Sequence, residues 1–175
     1  MNKKDIFWKL GYLGAAGAVF LLDQASKAWA IRKLRFGGDM EIIPGFLNFA
    51  YAQNTGVAFS MFDDGGSTGR WALSGLAFVA AIAVMYFFWK TPRNDDRILG
   101  ALALLLAGIV GNVFDRMQLG FVIDFIDVQF GSWHYPTFNL ADTAICIGAG
   151  LLLLDMFLRK KPEKDETAEK AAESG

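Results

Sequence analysis

The chain has 175 residues, 54% of them apolar and 16 of them phenylalanine, and its mean hydropathy is +0.31. This length suits about one domain, but the composition is too apolar for a water-soluble domain of that size. A net charge of −1 without an evident basic face argues against a nucleic-acid partner. One cysteine, Cys146, and one histidine, His134, exclude an internal disulfide, a cysteine-based zinc site and a histidine-rich metal centre. The sequence therefore indicates an integral membrane protein, and we expect no metal and no cofactor.

Four stretches of the chain are long and apolar enough to cross a membrane, which takes about 20 residues of helix. They are residues 10–29, 71–89, 98–114 and 140–158. The sequence thus predicts an all-α membrane fold with four transmembrane helices, forming a single domain over residues 1–159. Residues 160–175 are polar, charged and free of aromatic side chains, so we expect a disordered cytoplasmic tail.

The basic residues give the orientation of these spans. With four crossings, 11 of the 17 Lys and Arg residues fall on the side that holds both termini. Because basic residues concentrate on the cytoplasmic side of a membrane, both termini are predicted to be cytoplasmic. The residues at the start of the chain also superficially match a secretory signal, with Ala28 and Ala30 before a potential cleavage site. Asp23, Gln24 and Lys27 interrupt it where a signal should be plainly apolar, so we expect no cleavage there.

Two segments on the outer side of the membrane are predicted to form a small β platform. Residues 40–54 show alternation, aromatic side chains and a Pro44-Gly45 turn, which is typical of short strands lying against the membrane surface. Residues 121–130 are rich in β-branched and aromatic side chains and too short to span, so we expect an extended segment that brings Asp124 to the outer face. We also expect a lid formed by residues 44–62, with nearby glycines to permit movement: Gly37, Gly38, Gly56, Gly65 and Gly66.

Ionisable side chains at membrane depth cost about 2.5–3.5 kcal/mol each on insertion scales, so each one suggests a role or a partner. Carboxylates are the main reactive groups available, and two that lie close together share a proton and can act as base and acid in turn. Asn139 and Asp142 have the spacing of a helix N-cap and its N3 residue, where the dipole favours negative charge. Asp124 lies among Phe, Val and Ile, where desolvation favours the protonated form. Spacing alone leaves open a helix cap for Asp142 and a strand-edge carboxylate for Asp124.

Other polar residues lie at helical spacing within the spans. Asn112 and Arg116 are four residues apart and share a helix face, and we expect the guanidinium of Arg116 to donate to Asp115 or to a substrate carbonyl. Asp23 and Lys27 are also four apart and can neutralise each other inside the first span.

Five motifs occur in order along the chain. They are Asp23-Gln24-Ala25-Ser26-Lys27, residues 54–59 (NTGVAF), residues 111–116 (GNVFDR), Val122-Ile123-Asp124-Phe125 and Phe138-Asn139-Leu140-Ala141-Asp142. Together they resemble the lipoprotein signal peptidases, the signal peptidase II family of bacteria. The resemblance extends from about residue 8 to residue 158, and no motif position departs from the family pattern.

The resemblance implies an intramembrane aspartic endopeptidase of the bacterial inner membrane, with its active site near the outer face. Such enzymes remove the signal peptide from diacylglyceryl-modified prolipoproteins, cutting before the lipid-modified cysteine, and they are targets of globomycin-type inhibitors. The resemblance implies Asp124 and Asp142 as the catalytic pair. It also implies substrate-binding or supporting roles for Asn54, Gly56, Asn112, Asp115, Arg116, Asn139, Asp23 and Lys27. The expected partners are prolipoprotein substrates and membrane lipid, and the enzyme is expected to be a monomer.

Alternatives from other classes are a small proton- or ion-coupled transporter, with Asp23, Lys27, Asp115 and Arg116 along its path, and a purely structural membrane protein. A third alternative is a lipid-modifying transferase with a metal held by Asp124, Asp127 and Asp142. The gathering of polar groups near one face favours the peptidase over the transporter. Asp127 is three residues from Asp124 in an extended segment, so we expect it to point to the opposite face.

Overall fold

A computed structural model describes residues 2–56 and 67–158 of the chain. In this part of the chain the helices are α1 (Lys3–Lys33), α2 (Ser67–Lys90), α3 (Asp96–Gln118) and α4 (Leu140–Leu158). All four are long and apolar enough to cross a membrane, and they contain the four predicted spans. The expected lid segment beyond Gly56 and the expected C-terminal tail lie outside the described residues.

Helix α3 forms the centre of the helical bundle. Half of the residues in its apolar stretch are buried within the protein. The buried share of the corresponding stretch is 11% in α1 and in α2 and 22% in α4. Two glycines allow α3 and α4 to pack closely, because a Cβ at Gly108 would overlap the Ala141 carbonyl oxygen and one at Gly148 would lie 2.7 Å from the Ala101 carbonyl oxygen. The backbone at the start of α4 is therefore held tightly against the C-terminal half of α3.

The predicted platform is a four-stranded antiparallel sheet in the order β1-β2-β3-β4. Its strands are β1 (Met40–Ile43), β2 (Leu47–Asn54), β3 (Val122–Phe130) and β4 (Trp133–His134). The first three confirm the two predicted extended segments. The short strand β4, which contains His134, pairs with the end of β3.

The end of α1 packs against this sheet. Ala30 and Leu34 form a buried cluster with Ile123 and Phe125 of β3. Trp29 adds edge-on ring contacts, at 5.4 Å to Phe49 and 6.4 Å to Phe125 between ring centroids. Because the first span and the sheet share this cluster, the sheet has a fixed position over one end of the bundle.

The segment after β4 returns along β3 before α4 begins. The backbone amides of Phe125 and Ile126 both donate to the Phe138 carbonyl oxygen, at 3.0 and 2.9 Å, and the Phe138 amide donates to the Ile126 carbonyl oxygen at 3.1 Å. Asn139, the next residue, is thereby placed beside Asp124 at the point where α4 starts.

Candidate active site

Asp124 is a buried carboxyl on β3, with only 1% of the residue exposed. Each of its oxygens accepts a hydrogen bond from an amide side chain: Oδ2 from Asn54 Nδ2 at 2.9 Å and Oδ1 from Asn139 Nδ2 at 2.7 Å. The β2–β3 register brings Asn54 here, since Asn54 pairs with Val122 and Ala52 with Asp124.

Burial raises the pKa of the Asp124 carboxyl from 3.8 to about 6. The negative charge of Asp142 also raises this pKa, whereas the amides of Asn54 and Asn139 and the charge of Lys27 lower it. Since desolvation penalises the charged form, the fold favours a protonated Asp124 over the range from about pH 4 to 6.

Asp142 lies in the first turn of α4, in the capping arrangement that the sequence predicts. Its amide donates to Asn139 Oδ1 at 2.9 Å, and the Asn139 amide donates to Asp142 Oδ2 at 3.3 Å. This reciprocal pair is a capping box, in which a side chain at each end satisfies a backbone N–H of the helix start. The other carboxylate oxygen of Asp142 accepts from Asn112 Nδ2 on α3 at 2.7 Å.

Asn139 joins the two carboxyl groups directly. Its side chain donates to Asp124 and its backbone amide donates to Asp142, so the two carboxyls lie on either side of one residue. Asn139 Nδ2 also lies 3.3 Å from Asn112 Oδ1, and Asn112 holds Asp142 from the other side. Three chain segments thus converge on one pair of carboxyls: β3, the start of α4 and the C-terminal part of α3.

A second buried cluster lies behind this pair and centres on Lys27 of α1. Its ammonium contacts three oxygens: Asp23 Oδ2 at 2.8 Å, Asp115 Oδ2 at 3.0 Å and Asn112 Oδ1 at 3.1 Å. Three acceptors match the three N–H groups of a lysine. Gln24, whose place in the site the sequence does not predict, donates to both Asp23 and Asp115 at 3.1 Å.

This lysine cluster also fixes the backbone of the site. Asp23 Oδ1 accepts from the Ala141 amide at 2.9 Å, and Asp115 Oδ2 accepts from the Ile123 amide at 3.2 Å. Ala141 precedes Asp142, and Ile123 precedes Asp124. The ion cluster therefore holds the chain immediately before each member of the carboxyl pair.

Arg116 differs from the expectation for its ion partner. Among the described residues Asp115 is paired with Lys27 of α1, and Arg116 Nη1 instead donates to the Asn112 carbonyl oxygen at 3.4 Å. Adjacent residues on a helix point about 100° apart, so Asp115 contacts α1 while Arg116 points in another direction. A Cβ added at Gly56 would lie 3.4 Å from Arg116 Nη2, which places this guanidinium beside the end of β2.

A cleft of about 380 Å³ opens at Asp124 between β2 and the segment that precedes α4. Asn54, Thr55 and Gly56 line one side, and Pro136 and Thr137 line the other. Gly56 has a φ of +76°, which residues with a Cβ rarely adopt, and the turn is braced by its amide donating to Asn54 Oδ1 at 2.8 Å. Of the two carboxyl-bearing residues, Asp124 lines this cleft.

Asp127 belongs to a separate group of contacts. Its carboxylate accepts from Asn48 Nδ2 at 3.1 Å and contacts His134 Nδ1 at 2.9 Å. Burial alone would raise the pKa of Asp127, but the hydrogen bonds from His134 and Asn48 outweigh it and lower this pKa. Asp127 thus lies away from Asp124, as its spacing along the strand predicts, and within the described residues no three His, Cys, Asp or Glu side chains are grouped to hold a metal.

Comparison with known proteins adds an independent observation. Residues 15–158 match the family described as "Signal peptidase (SPase) II". A lipoprotein signal peptidase of Vibrio vulnificus (strain CMCP6) is 40% identical over 167 residues, covering 93% of this chain and 99% of the relative. One from Serratia proteamaculans (strain 568) is 43% identical over 160 residues, covering 90% and 93%. The chain belongs to the signal peptidase II family.

Solved structures agree with this assignment. A bacterial membrane enzyme determined by the in meso method at 1.9 Å resolution superposes with a TM-score of 0.77 at 31% identity, covering 86% of this chain and 94% of that one. A second structure, at 2.3 Å resolution, gives a TM-score of 0.74, also at 31% identity, over 88% of this chain. The chain is therefore a peptidase of the signal peptidase II type and a multi-pass bacterial membrane protein. The transporter alternative is not supported.

Proposed function

We propose that the chain is an aspartic endopeptidase in which Asp124 and Asp142 form the catalytic pair. The observation that carries the proposal is the position of Asn139, which donates one hydrogen bond to each carboxyl. The charge of Asp142 raises the pKa of Asp124, so it is costly to ionise both carboxyls and the pair retains one proton between them. A pair in that state contains both the base and the acid that peptide hydrolysis needs.

The reaction starts from an ionised Asp142 and a protonated Asp124. Asp142 removes a proton from a water molecule, whose oxygen forms a bond to the scissile carbonyl carbon while Asp124 donates its proton to the carbonyl oxygen. Asp142 then passes the proton it took to the amide nitrogen, and Asp124 recovers a proton from the tetrahedral hydroxyl as the C–N bond breaks. The products are a carboxylic acid and an amine, and the pair again holds one proton.

The amide side chains around the pair are assigned to hold the carboxyls rather than the substrate. Asn54 and Asn139 each donate to Asp124, and Asn112 donates to Asp142. These neutral amide donors hold both carboxyls in fixed orientations. A cationic donor in their place would favour the ionised form of both carboxyls. Asp23, Lys27 and Asp115 act one layer further out, by fixing the backbone before Asp124 and Asp142.

Arg116 and Gly56 are assigned to the substrate side of the site. Arg116 donates weakly within its own helix, and its Nε is buried without a hydrogen-bond partner among the described residues. A guanidinium with free donors beside the cleft is suited to bind a carbonyl group of the peptide. A side chain at Gly56 would clash with Leu73, because its Cβ would lie 2.5 Å from Leu73 Cδ1, so glycine suits this edge of the cleft.

The proposed substrates are prolipoproteins with a diacylglyceryl-modified cysteine, and the cut lies just before that cysteine. The relatives from Vibrio vulnificus and Serratia proteamaculans carry the name lipoprotein signal peptidase. A signal helix and two acyl chains already lie in the bilayer, so such a substrate reaches a carboxyl pair at the membrane surface by lateral diffusion. We further propose inhibition by globomycin-type cyclic peptides and a monomeric enzyme.

The orientation of the chain follows from its basic residues. The start of α1 and the α2–α3 turn carry Lys3, Lys4, Lys9, Lys90, Arg93 and Arg97, and they lie at the end of the bundle opposite the carboxyl pair. By the positive-inside rule that end is cytoplasmic. The active site then faces the outer surface of the inner membrane.

The test is cleavage of a purified lipidated prolipoprotein by the enzyme in detergent, followed as a size shift on a gel. Asp124→Asn and Asp142→Asn are each expected to lower turnover by a hundredfold to about ten-thousandfold, the usual range for loss of a general acid or base. Asp127→Asn is the matched control, since it removes a buried carboxylate from the same strand and is expected to keep most of the activity. Normal cleavage by either variant of the pair would refute the assignment.

A further inference from the structure

A second cleft lies at the end of the bundle opposite the carboxyl pair. It has a volume of about 540 Å³ and is formed by the first turns of α1 and the turn between α2 and α3. Lys3, Lys4 and Arg93 supply positive charge to its lining, and Phe7 and Trp8 supply aromatic surface. None of these residues takes part in the proposed peptide cleavage or in the ion cluster around Lys27.

The positive charge of this cleft is only partly compensated by neighbouring carboxylates. Within residues 2–56 and 67–158, Lys3 and Lys4 make no ion pair, and Arg93 makes one long contact, with Nη1 3.6 Å from Asp5 Oδ1. Asp96 is the one carboxylate in the lining, and its Oδ1 accepts hydrogen bonds from Trp8 Nε1 at 3.3 Å and from Tyr12 at 2.9 Å. Three basic side chains against the carboxylates of Asp96 and Asp5 leave a net positive charge, which attracts an anion.

An apolar furrow starts where the charged cleft ends. It has a volume of about 290 Å³ and is lined by Trp8, Gly11, Tyr12 and Ala15, which recur at the three- and four-residue spacing of one helix face. Trp8 lines both the cleft and the furrow. A Cβ at Gly11 would meet nothing within 4 Å, so the absence of a side chain there leaves open space along the membrane-spanning part of α1.

The two parts together have the shape and polarity of a phospholipid. We propose that this end of the protein binds an anionic glycerophospholipid, with the phosphodiester between Lys3, Lys4 and Arg93 and one acyl chain in the furrow from Trp8 to Ala15. Phe7 and Trp8, which are 78% and 51% exposed, lie at the level of the glycerol ester groups, where aromatic side chains are favoured. A zwitterionic headgroup fits less well, because its ammonium group would face the same three cations.

Binding of this lipid stabilises the folded protein, because the site exists only when α1 lies against the α2–α3 turn. The test uses the full-length enzyme in dodecyl maltoside, with dioleoylphosphatidylglycerol, dioleoylphosphatidylcholine or inorganic phosphate added in separate arms. The thermal unfolding midpoint and the number of lipids retained in native mass spectrometry are measured in each arm. Phosphatidylglycerol is expected to raise the midpoint and stay bound, and the other two probes are expected to have little effect.

Two triple variants locate the site. The first triple variant combines Lys3→Gln, Lys4→Gln and Arg93→Gln. It is expected to weaken phosphatidylglycerol binding on the order of a hundredfold, because each basic residue near an anionic headgroup contributes a factor of about five to the affinity. The matched control replaces Arg32, Lys33 and Arg35, three exposed basic residues at the other end of α1, by Gln and is expected to bind normally. Gly11→Leu fills the furrow with all charges intact and is also expected to reduce binding.

Three results would overturn the proposal. An equal response to phosphatidylcholine would mean that the apolar surface alone binds lipid, and an equal response to inorganic phosphate would mean that the site recognises a free anion. Undiminished phosphatidylglycerol binding by both the first triple variant and Gly11→Leu would place the lipid elsewhere on the protein. None of these measurements depends on peptidase activity.

Discussion

Replacing Lys27 by methionine tests how the buried ion cluster supports the active site. The lysine is 1% exposed and its ammonium lies within 3.1 Å of oxygens from Asp23, Asp115 and Asn112. Methionine keeps most of the volume of the side chain but removes the positive charge, leaving two buried carboxylates without their cation. Removal of one partner from a buried ion pair costs about 3–5 kcal/mol, and we expect Lys27→Met to lower the free energy of unfolding by that amount.

A loss of activity is expected to accompany the loss of stability. Asp23 and Asp115 hold the amides of Ala141 and Ile123, so their rearrangement moves the backbone before each catalytic carboxyl. Displacement of a reacting group by about 1 Å can cost a hundredfold in rate. We therefore expect kcat/KM of the folded Lys27→Met enzyme to fall by about that factor.

The assay is an unfolding titration from dodecyl maltoside into dodecyl sulfate, followed by tryptophan fluorescence, with cleavage rates measured separately on the folded fraction. Lys9→Met is the matched control in the same helix, since Lys9 is also buried but donates to the carbonyls of Phe88 and Trp89 at the opposite end. It is expected to reduce stability and leave kcat/KM unchanged. A double-mutant cycle with Asp23→Asn should give a coupling energy of at least about 1 kcal/mol. Full stability and activity in Lys27→Met, or no coupling with Asp23, would refute this role of the cluster.

Three further predictions concern the carboxyl pair and its support. The pKa of Asp124 is raised to about 6, and the carboxyl pair must retain one proton to be active. Because the pair loses this proton as the pH rises, kcat/KM is expected to fall about tenfold per pH unit above roughly pH 6. A rate independent of pH from about 5 to 8 would contradict this prediction. Asn139→Asp retains a side chain that can cap α4 but replaces the donor to Asp124 by a third buried carboxyl, so both the free energy of unfolding and the activity of the folded enzyme should fall; equal activity of Asn139→Asp and the unmodified enzyme would argue against the bridging role. Gly108→Ala should lower the free energy of unfolding by about 1–3 kcal/mol because its methyl group meets the Ala141 carbonyl, whereas Gly17→Ala enters open space and should not destabilise.

Much of this architecture can be predicted from the sequence because each signal is local. An uninterrupted apolar stretch of about 20 residues predicts a span wherever it packs, and the three-residue spacing of Asn139 and Asp142 predicts their capping contact without knowledge of the rest of the fold. Asp23 and Lys27 pair as expected because both lie on one turn of α1.

The contacts that the sequence does not predict join distant segments. Asp115 and Arg116 are adjacent in the sequence, and periodicity alone cannot say which of them faces α1, so the pairing of Asp115 with Lys27 required the packing of the helices. The sequence does mark Gln24 as unusual, because it is an amide side chain beside Asp23 in an apolar span. Its two acceptors, however, lie on different helices, so the sequence does not predict both contacts. The contact between His134 and Asp127 likewise depends on β4 folding back along β3.

The most direct test of the central claim compares four enzymes in one assay: the unmodified chain, Asp124→Asn, Asp142→Asn and the double variant. Catalytic groups that act as a unit give non-additive losses, since removing either one disables both. If the two carboxyls share one proton beside the scissile bond, the double variant will cleave lipidated prolipoprotein no more slowly than the less active of the two single variants. A double variant whose loss equals the product of the two single losses would contradict the account, because the carboxyls would then act independently.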